Sequence, residues 1–190
     1  MRSAQDALVD CLRKLNRLGI AYMLTGSMAS NYWGVPRTTH DIDLVVRFTV
    51  SDVPRIVAGF QPDFFIQEPA VRSSLSPPFQ FNALDEHSAL KVDFWTLRSD
   101  PLDLEMFRRR IQVTLFGEQA FVATAEDVIL AKLRWHRIHP SDRQIQDIAG
   151  LVATQKGLLD LDYLQKWAAV IKESSLVADV LSGKIKLKDT

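Results

Sequence analysis

The 190-residue chain has little of several features that would mark a special class of protein. It contains a single cysteine, Cys11, so it cannot form an internal disulfide, and its cysteine content does not indicate an oxidising compartment. Its 23 Lys and Arg residues equal its 23 Asp and Glu residues, which excludes a protein whose whole surface is drawn to nucleic acid by charge. Any contact with nucleic acid must therefore be local.

The chain also lacks a long hydrophobic run. Residues 18–36 carry no charge, but Thr25, Ser27 and Asn31 interrupt them, and the longest apolar run there, residues 20–24, has the length of a strand. The N-terminus places acids at Asp6 and Asp10 after one basic residue, unlike a secretory signal. We expect no membrane partner and a cytoplasmic location.

Hydrophobic residues make up 47% of the chain and charged residues 24%, which is typical of a folded globular protein. Short β-branched runs alternate with helical spacing up to residue 123, whereas the pattern from Thr124 onward is helical throughout. We therefore predict an α/β (α+β) fold, with a small mixed β-sheet core flanked by helices in residues 1–123 and a C-terminal helical bundle in residues 124–190. Within the core, residues 62–78 are rich in proline and serine and predict a loop with one short strand at 64–67.

Two carboxylates follow the polar turn before the second predicted strand. Asp41 and Asp43 are spaced i and i+2, which on a strand puts them on one face a few ångströms apart. Two neighbouring carboxylates repel unless a cation lies between them, and oxygen ligands favour Mg²⁺ or Mn²⁺. The alternative is a solvated loop that carries two acids.

Two further features lie near this pair. Gly26 and Ser27 end one strand and begin a helix, where backbone N–H groups and the helix dipole can hold a phosphate; the alternative is a plain turn with Ser27 as N-cap. Asp93 stands between Val92 and Phe94 in a hydrophobic strand, where an aspartate needs a partner. If that strand lies beside residues 42–48, Asp93 can share a metal with Asp41 and Asp43.

The pattern of Gly26-Ser27, thirteen further residues, Asp41-Ile42-Asp43-Leu44 and a distal Asp93 resembles the DNA polymerase β-type nucleotidyltransferase superfamily. Residues 37–44, 126–133 and 142–148 are more specifically similar to small bacterial nucleotidyltransferases of the AbiEii toxin type. The similarity covers roughly residues 20–150. The motif made of Gly26-Ser27, Asp41-Ile42-Asp43 and Asp93 is its more specific part, because three separated elements of the sequence agree.

The resemblance implies a nucleotidyltransferase core and roles for particular residues. Asp41, Asp43 and Asp93 would be both the metal ligands and the catalytic residues, and the nucleotide's phosphates would rest on Gly26 and Ser27. Two C-terminal positions, Lys132 and Asp147, match residues that serve the site in AbiEii-type enzymes. As an alternative, both are surface residues of amphipathic helices.

Other basic residues are candidates for phosphate contacts. Arg37 could reach a nucleotide phosphate from the turn before Asp41, or it could be solvated or paired with a neighbouring acid. Residues 108–110 are three successive arginines, and residues 184–188 form a lysine-rich tail. Such patches bind phosphate backbones, and they are equally common as solvated faces.

The function that the resemblance implies is a Mg²⁺- or Mn²⁺-dependent nucleotidyltransferase. It would transfer a nucleoside monophosphate from an NTP to a hydroxyl of an RNA end such as tRNA, of a protein or of a small molecule. The resemblance also implies a toxin–antitoxin role with an antitoxin or toxin partner. The alternative function is a catalytically silent binding protein of the same fold, or an antitoxin partner.

Overall fold

The computed structural model describes residues 2–185. They divide into two compact units, the first made of residues 2–28 and 39–123 and the second of residues 29–38 and 124–185. Residues 29–38, which the sequence analysis assigned to the core, thus belong to the second unit. Residues 186–190, with most of the predicted lysine-rich tail, lie outside the described residues, and the assignment of residues 1–123 and 124–190 as domains stays a prediction.

The first unit alternates helices and strands, as the sequence pattern predicts. Its first helix begins with a capping box in which Ser3 accepts from the backbone of Asp6 and Asp6 accepts from the backbone of Ser3. The elements up to residue 123 are α1 Ala4–Leu18, β1 Ala21–Thr25, α2 Gly26–Trp33, β2 Ile42–Arg47, α3 Val53–Phe60, β3 Phe64–Phe65, α4 Glu68–Ser73, β4 Gln80–Asp85, β5 Lys91–Thr96, α5 Pro101–Arg109, β6 Ile111–Leu115 and β7 Glu118–Val122.

The strands form one mixed sheet of seven strands in the order β3-β4-β5-β2-β1-β7-β6. The pairs β2/β5 and β1/β7 are parallel, and the other pairs are antiparallel. The registers of β5 with β2 and with β4 each join five residue pairs, so β2, β5 and β4 form a regular centre. The predicted mixed α/β fold is confirmed.

The hydrophobic core lies on one face of this sheet. On β2 the buried residues alternate with less buried ones, so that Ile42, Leu44 and Val46 point to the same side. Helix α3 covers this side with Phe60, whose ring contacts those of Phe64 and Phe94. The opposite face of β2 and β5 carries Asp43, Val45 and Arg47 together with Lys91, Asp93 and Trp95.

The loop predicted over residues 62–78 is wrong in one part, because it contains the helix α4. Pro69 lies in the first turn of that helix, where its missing N–H costs nothing, and Val71 is fully buried. A six-residue helix is too short to show a hydrophobic period, so proline and serine content dominated the prediction.

The second unit is a bundle of four helices together with residues 29–38. Its helices are α6 Ala125–Ile138, α7 Asp142–Thr154, α8 Leu161–Val170 and α9 Ser174–Leu181. The predicted C-terminal helical bundle is confirmed. Across residues 2–185, no helix is both long enough and apolar enough to cross a membrane.

Replacing Phe60 tests the aromatic core. Phe60→Ala removes a fully buried ring that lies 5.4 Å from Phe64 and 5.6 Å from Phe94, centroid to centroid. We expect the free energy of unfolding to fall by about 3–5 kcal/mol, measured by urea denaturation. Phe65 is 49% exposed, so Phe65→Ala should change the free energy of unfolding by no more than about 0.5 kcal/mol. Equal losses would contradict this assignment of the core.

Candidate functional site

Two of the three predicted catalytic acids lie side by side at the centre of the sheet. Because β2 and β5 are parallel and in register, Asp43 is the direct neighbour of Asp93. Both alternate with buried core residues, so both point to the face opposite the core. Neighbouring strands are about 4.8 Å apart, which brings the two carboxylates close enough to act on one ligand.

The Gly26 turn is built against Asp43. Gly26 begins α2 directly after β1, with a φ of +61° that favours glycine. A Cβ atom at this position would lie 2.2 Å from Oδ2 of Asp43 and 2.9 Å from its Cβ. Only a glycine therefore allows the Asp43 side chain to occupy this place, and the Gly26 turn and the carboxylate are in contact.

Side chains of β5 flank both carboxylates. The Trp95 indole donates to Oδ1 of Asp43 at 3.4 Å, and the Lys91 ammonium lies 2.9 Å from Oδ2 of Asp93. The exposed Asn82 on β4 is the register partner of Asp93. Lys91 and Trp95 were not predicted as site residues, although their spacing of two from Asp93 on a strand would have placed them on the same face.

Asp41 does not join this pair. It is exposed and lies before β2, where its backbone N–H donates to the Thr39 hydroxyl at 3.2 Å. Within the described part of the chain, no three Asp, Glu, His or Cys side chains are close enough to hold a metal ion together. The predicted three-carboxylate site at Asp41, Asp43 and Asp93 therefore stays a prediction.

The two central acids nevertheless fit a divalent cation. Oδ1 of Asp93 is buried and has no hydrogen-bond partner among residues 2–185. An unpaired buried carboxylate oxygen is costly, and a hard cation is a ligand that would satisfy it. The close neighbour Asp43 would supply a second oxygen ligand.

The other predicted nucleotide-binding residues form an ion network in the second unit. Asp147 on α7 accepts two hydrogen bonds from the Arg37 guanidinium, at 2.8 and 2.9 Å, and one from the Lys132 ammonium at 2.7 Å. The Lys132 and Asp147 side chains are only 6% and 7% exposed. The alternative that made them surface residues is therefore wrong, because their polar groups pair with each other inside the bundle.

Neighbouring amides hold the two cations in place. Asn31 on α2 accepts from the backbone N–H of Arg37 at 3.1 Å and donates to its carbonyl oxygen at 2.7 Å. Gln144 accepts from Lys132 at 3.3 Å. Arg37 is thus paired with an acid that lies far from it in sequence, and its backbone is fixed as well as its side chain.

The network keeps Asp147 ionised. Burial opposes ionisation, but the hydrogen bonds and charges of Arg37 and Lys132 outweigh it, so the pKa of Asp147 lies below its ordinary value. Two cations around one buried carboxylate make this a strongly bound cluster.

Two acids near Lys132 have structural partners. Asp127, which is 1% exposed, accepts from the Tyr163 hydroxyl at 2.6 Å and from the Thr124 hydroxyl at 3.0 Å. Glu126 accepts from the backbone N–H of Asp160 at 3.0 Å. These bonds fix the start of α6, so this part of the AbiEii-like segment has a structural explanation.

Three solved structures share this architecture over nearly the whole chain. An antigenic nucleotidyltransferase-like protein from Paracoccidioides brasiliensis is similar over 98% of this chain and 94% of its own, with a TM-score of 0.58 and 16% identity. The solution structure of the antibiotic-resistance factor ANT(2″)-Ia is similar over 95% of this chain and 97% of its own, with a TM-score of 0.62 and 12% identity. The crystal structure of ANT(2″)-Ia in complex with adenylyl-2″-tobramycin is similar over 90% of this chain and 98% of its own, with a TM-score of 0.56 and 12% identity.

This chain has the nucleotidyltransferase fold. The similarity extends over nearly the whole of each chain. At sequence identities of 12–16%, it shows a shared fold only. No protein-family model and no curated protein matches the chain.

The contact between Gly26 and Asp43 can be tested against a second glycine. Gly19→Ala and Gly26→Ala place a side chain at nearly the same φ, +62° and +61°, but only Gly26 faces a side chain within 4 Å. We expect Gly19→Ala to lower the free energy of unfolding by about 1–2 kcal/mol, the cost of the left-handed conformation, and Gly26→Ala to lower it further. Rotation of the Asp43 carboxylate cannot relieve the clash, because its Cβ is also too close. Equal losses in urea denaturation would contradict the contact.

The ion network predicts a pH-dependent loss of stability on replacement of Asp147. Asp147→Asn leaves two cations without their carboxylate, and we expect a loss of about 3–5 kcal/mol in the free energy of unfolding at pH 7. A lowered pKa stabilises the fold above the unfolded value of about 3.9, and this contribution disappears as the pH falls through the folded value. The difference between wild type and variant should therefore narrow below about pH 3.9.

Asp162→Asn is the matched control for this experiment. It removes the same charge from an exposed position in the first turn of α8, where a carboxylate interacts with the helix dipole, and should lower the free energy of unfolding by no more than about 1 kcal/mol at pH 7. A wild type and an Asp147→Asn variant of equal stability at pH 7 would show that the network contributes nothing.

Proposed function

We propose that the chain is a metal-dependent nucleotidyltransferase of the EC 2.7.7 type. It transfers a nucleoside monophosphate from an NTP to a hydroxyl group and releases pyrophosphate. The observation that carries the proposal is the contact of the Gly26 turn with Asp43, which has Asp93 as its neighbour in register. A phosphate-binding turn and a pair of carboxylates are thereby adjacent, and the reaction needs both.

The turn binds the phosphates of the nucleotide. The first turn of α2 offers backbone N–H groups and the positive end of the helix dipole, and it contains no acidic residue that would oppose an anion. Ser27 adds a hydroxyl group. The absence of a side chain at Gly26 leaves room for the Asp43 carboxylate beside this turn.

Asp43 and Asp93 would hold the metal, with Asp41 as the further ligand in this proposal. Bound there, Mg²⁺ or Mn²⁺ would supply positive charge that neutralises the phosphates and polarises the group under attack. Trp95 orients Asp43 through its indole N–H, and Lys91 neutralises one oxygen of Asp93. The other oxygen of Asp93, Oδ1, has no partner among residues 2–185 and would coordinate the metal, and the Asp93 carboxylate would accept the proton of the acceptor hydroxyl.

Arg37, Lys132 and Asp147 remain nucleotide-binding residues in the proposal. Asp147 already engages both cations, so a phosphate group would bind them by replacing a carboxylate oxygen. Phosphate and carboxylate oxygens are interchangeable partners for a guanidinium and an ammonium group. Asp147 thus holds the two cations in place until the nucleotide arrives.

The structurally similar proteins support transfer of this kind. ANT(2″)-Ia was crystallised with adenylyl-2″-tobramycin, in which an adenylyl group is joined to a small molecule. A nucleotidyl group on a hydroxyl acceptor is the product we propose here. A toxin role, an antitoxin partner and a closer relation to AbiEii-type enzymes rest on the sequence resemblance and stay predictions.

A second candidate function is a catalytically silent protein of the same fold that binds a partner. The position of Asp41 favours it, because this exposed residue lies before β2 and does not join Asp43 and Asp93 in a cluster within residues 2–185. The two candidates differ in whether a nucleotide binds together with a metal.

Thermal unfolding against ATP, GTP, CTP and UTP, each with and without Mg²⁺, separates them. We expect one nucleotide to raise the melting temperature of the wild type in a Mg²⁺-dependent way, since a ligand of the native state stabilises it. Asp43→Asn should abolish the shift. It should also lower transfer of radiolabelled nucleotide by more than about 100-fold, because loss even of a group that supports a metal ligand costs 10–100-fold.

Asp162→Asn again serves as the control, since it removes one carboxylate at the surface and should retain the nucleotide shift. If no nucleotide shifts the wild type, with or without Mg²⁺, the silent binding protein is the better description. If Asp43→Asn retains both the shift and transfer, Asp43 has no part in the reaction.

A further inference from the structure

Two arginines are held on one buried aromatic ring at the far end of β2. The guanidinium carbons of Arg47 and Arg110 lie 5.9 and 4.2 Å from the ring centroid of Phe107 on α5. Arg110 also lies 5.4 Å from the ring of Phe121 on β7. Cation–π contacts of this kind hold a guanidinium in position but do not neutralise its charge.

The acids of α5 do not compensate these two cations. Asp103 is paired with Arg98 at 2.6 Å, and Glu105 is paired with Arg108 at 2.7 Å. Within residues 2–185 neither Arg47 nor Arg110 has a carboxylate partner. The pair therefore concentrates positive charge on a protein whose net charge is zero.

The two cations also act on each other. Burial, and then repulsion by Arg47, lowers the pKa of Arg110 from its ordinary value. The buried Nε of Arg110 has no hydrogen-bond acceptor in the described chain. An arrangement in which two like charges face each other without an acid is relieved when an anion binds.

The arginine pair lies on the same side of the sheet as the proposed reaction. Arg47 is four residues after Asp43 on β2, so both side chains point away from the core. At a rise of about 3.3 Å per residue, their Cα atoms are about 13 Å apart. A molecule bound at Asp93 could extend to Arg47 along the strand.

We propose that Arg47 and Arg110 form a binding site for a phosphate group of the acceptor. Guanidinium groups match phosphate oxygens in geometry as well as in charge. The inference rests on the proposed function and names its acceptor class, which is a hydroxyl compound that carries phosphate. The same charges would repel a polycationic acceptor.

Binding of a phosphodiester strand tests the site without any catalytic step. A fluorescein-labelled single-stranded RNA of about ten nucleotides is titrated with wild type and Arg47→Gln at several salt concentrations, with fluorescence anisotropy as the readout. Loss of one phosphate contact should lower affinity about five-fold at 0.1 M salt, and the slope of log affinity against log salt should become shallower by about 0.7. Arg47→Lys should keep the slope.

Arg72→Gln is the matched control, because Arg72 is an exposed arginine that is paired with Glu68 on α4. It makes the same change in net charge and should leave both affinity and slope at the wild-type values. Arg110→Gln should act like Arg47→Gln. Because Arg110 packs on two rings, the folding of the Arg110→Gln variant is checked by circular dichroism. If that variant unfolds, the test rests on substitutions of the exposed Arg47.

A second arm uses inorganic phosphate and thermal unfolding to identify the source of the phosphate group. A shift by phosphate that Arg47→Gln loses, without RNA binding, would assign the site to a small phosphorylated acceptor. If Arg47→Gln and Arg72→Gln behave alike with both probes, the proposal is wrong. The Mg²⁺-dependent rise in melting temperature caused by the nucleotide should persist in Arg47→Gln. If that rise is absent in the wild type, the nucleotidyltransferase proposal itself fails, and this outcome is distinct from failure of the arginine site.

Discussion

The contact between Gly26 and the Asp43 carboxylate constrains the centre of the molecule. It requires β1 to end at Thr25, opposite Asp43 in the antiparallel register, and α2 to begin with a left-handed residue. The parallel register of β2 and β5 then places Asp93 next to Asp43. A shift of one residue in either pairing would turn one of these acids into the core, where a carboxylate is costly, so the contact and the registers support each other.

The charges of this neutral protein are distributed unevenly, and the distribution carries its chemistry. Asp147 has two cations around it and is held ionised in the interior of the bundle. Asp93 has one cation on one oxygen and a buried, unpartnered second oxygen. The pair of Arg47 and Arg110 has aromatic rings in place of acids. We infer that the ion pairs of Asp147 stabilise the fold when no ligand is bound. We also infer that Asp93 binds a cation and that the pair of Arg47 and Arg110 binds an anion.

Much of the fold was accessible from local patterns. Helical spacing and short β-branched runs predicted alternating helices and strands up to residue 123, because these periods reflect burial on one face. The helix α4 was missed because six residues show no period. The surface alternative for Lys132 and Asp147 failed for a related reason: an amphipathic pattern does not tell which polar residues of a helix find a partner in a neighbouring helix.

The sequence by itself determined the order of elements and which residues carry the chemistry: Gly26 and Ser27 at a turn, acids at 43 and 93 on strands, and the composition of a folded, neutral protein. Only the tertiary structure decided which of these meet. It joined Asp43 to Gly26 and Asp93, left Asp41 before the strand, and paired Arg37 with an acid 110 residues away. Strand order, register and helix contacts join segments that are distant in the chain, and a local pattern reports which face is buried but not what lies against it.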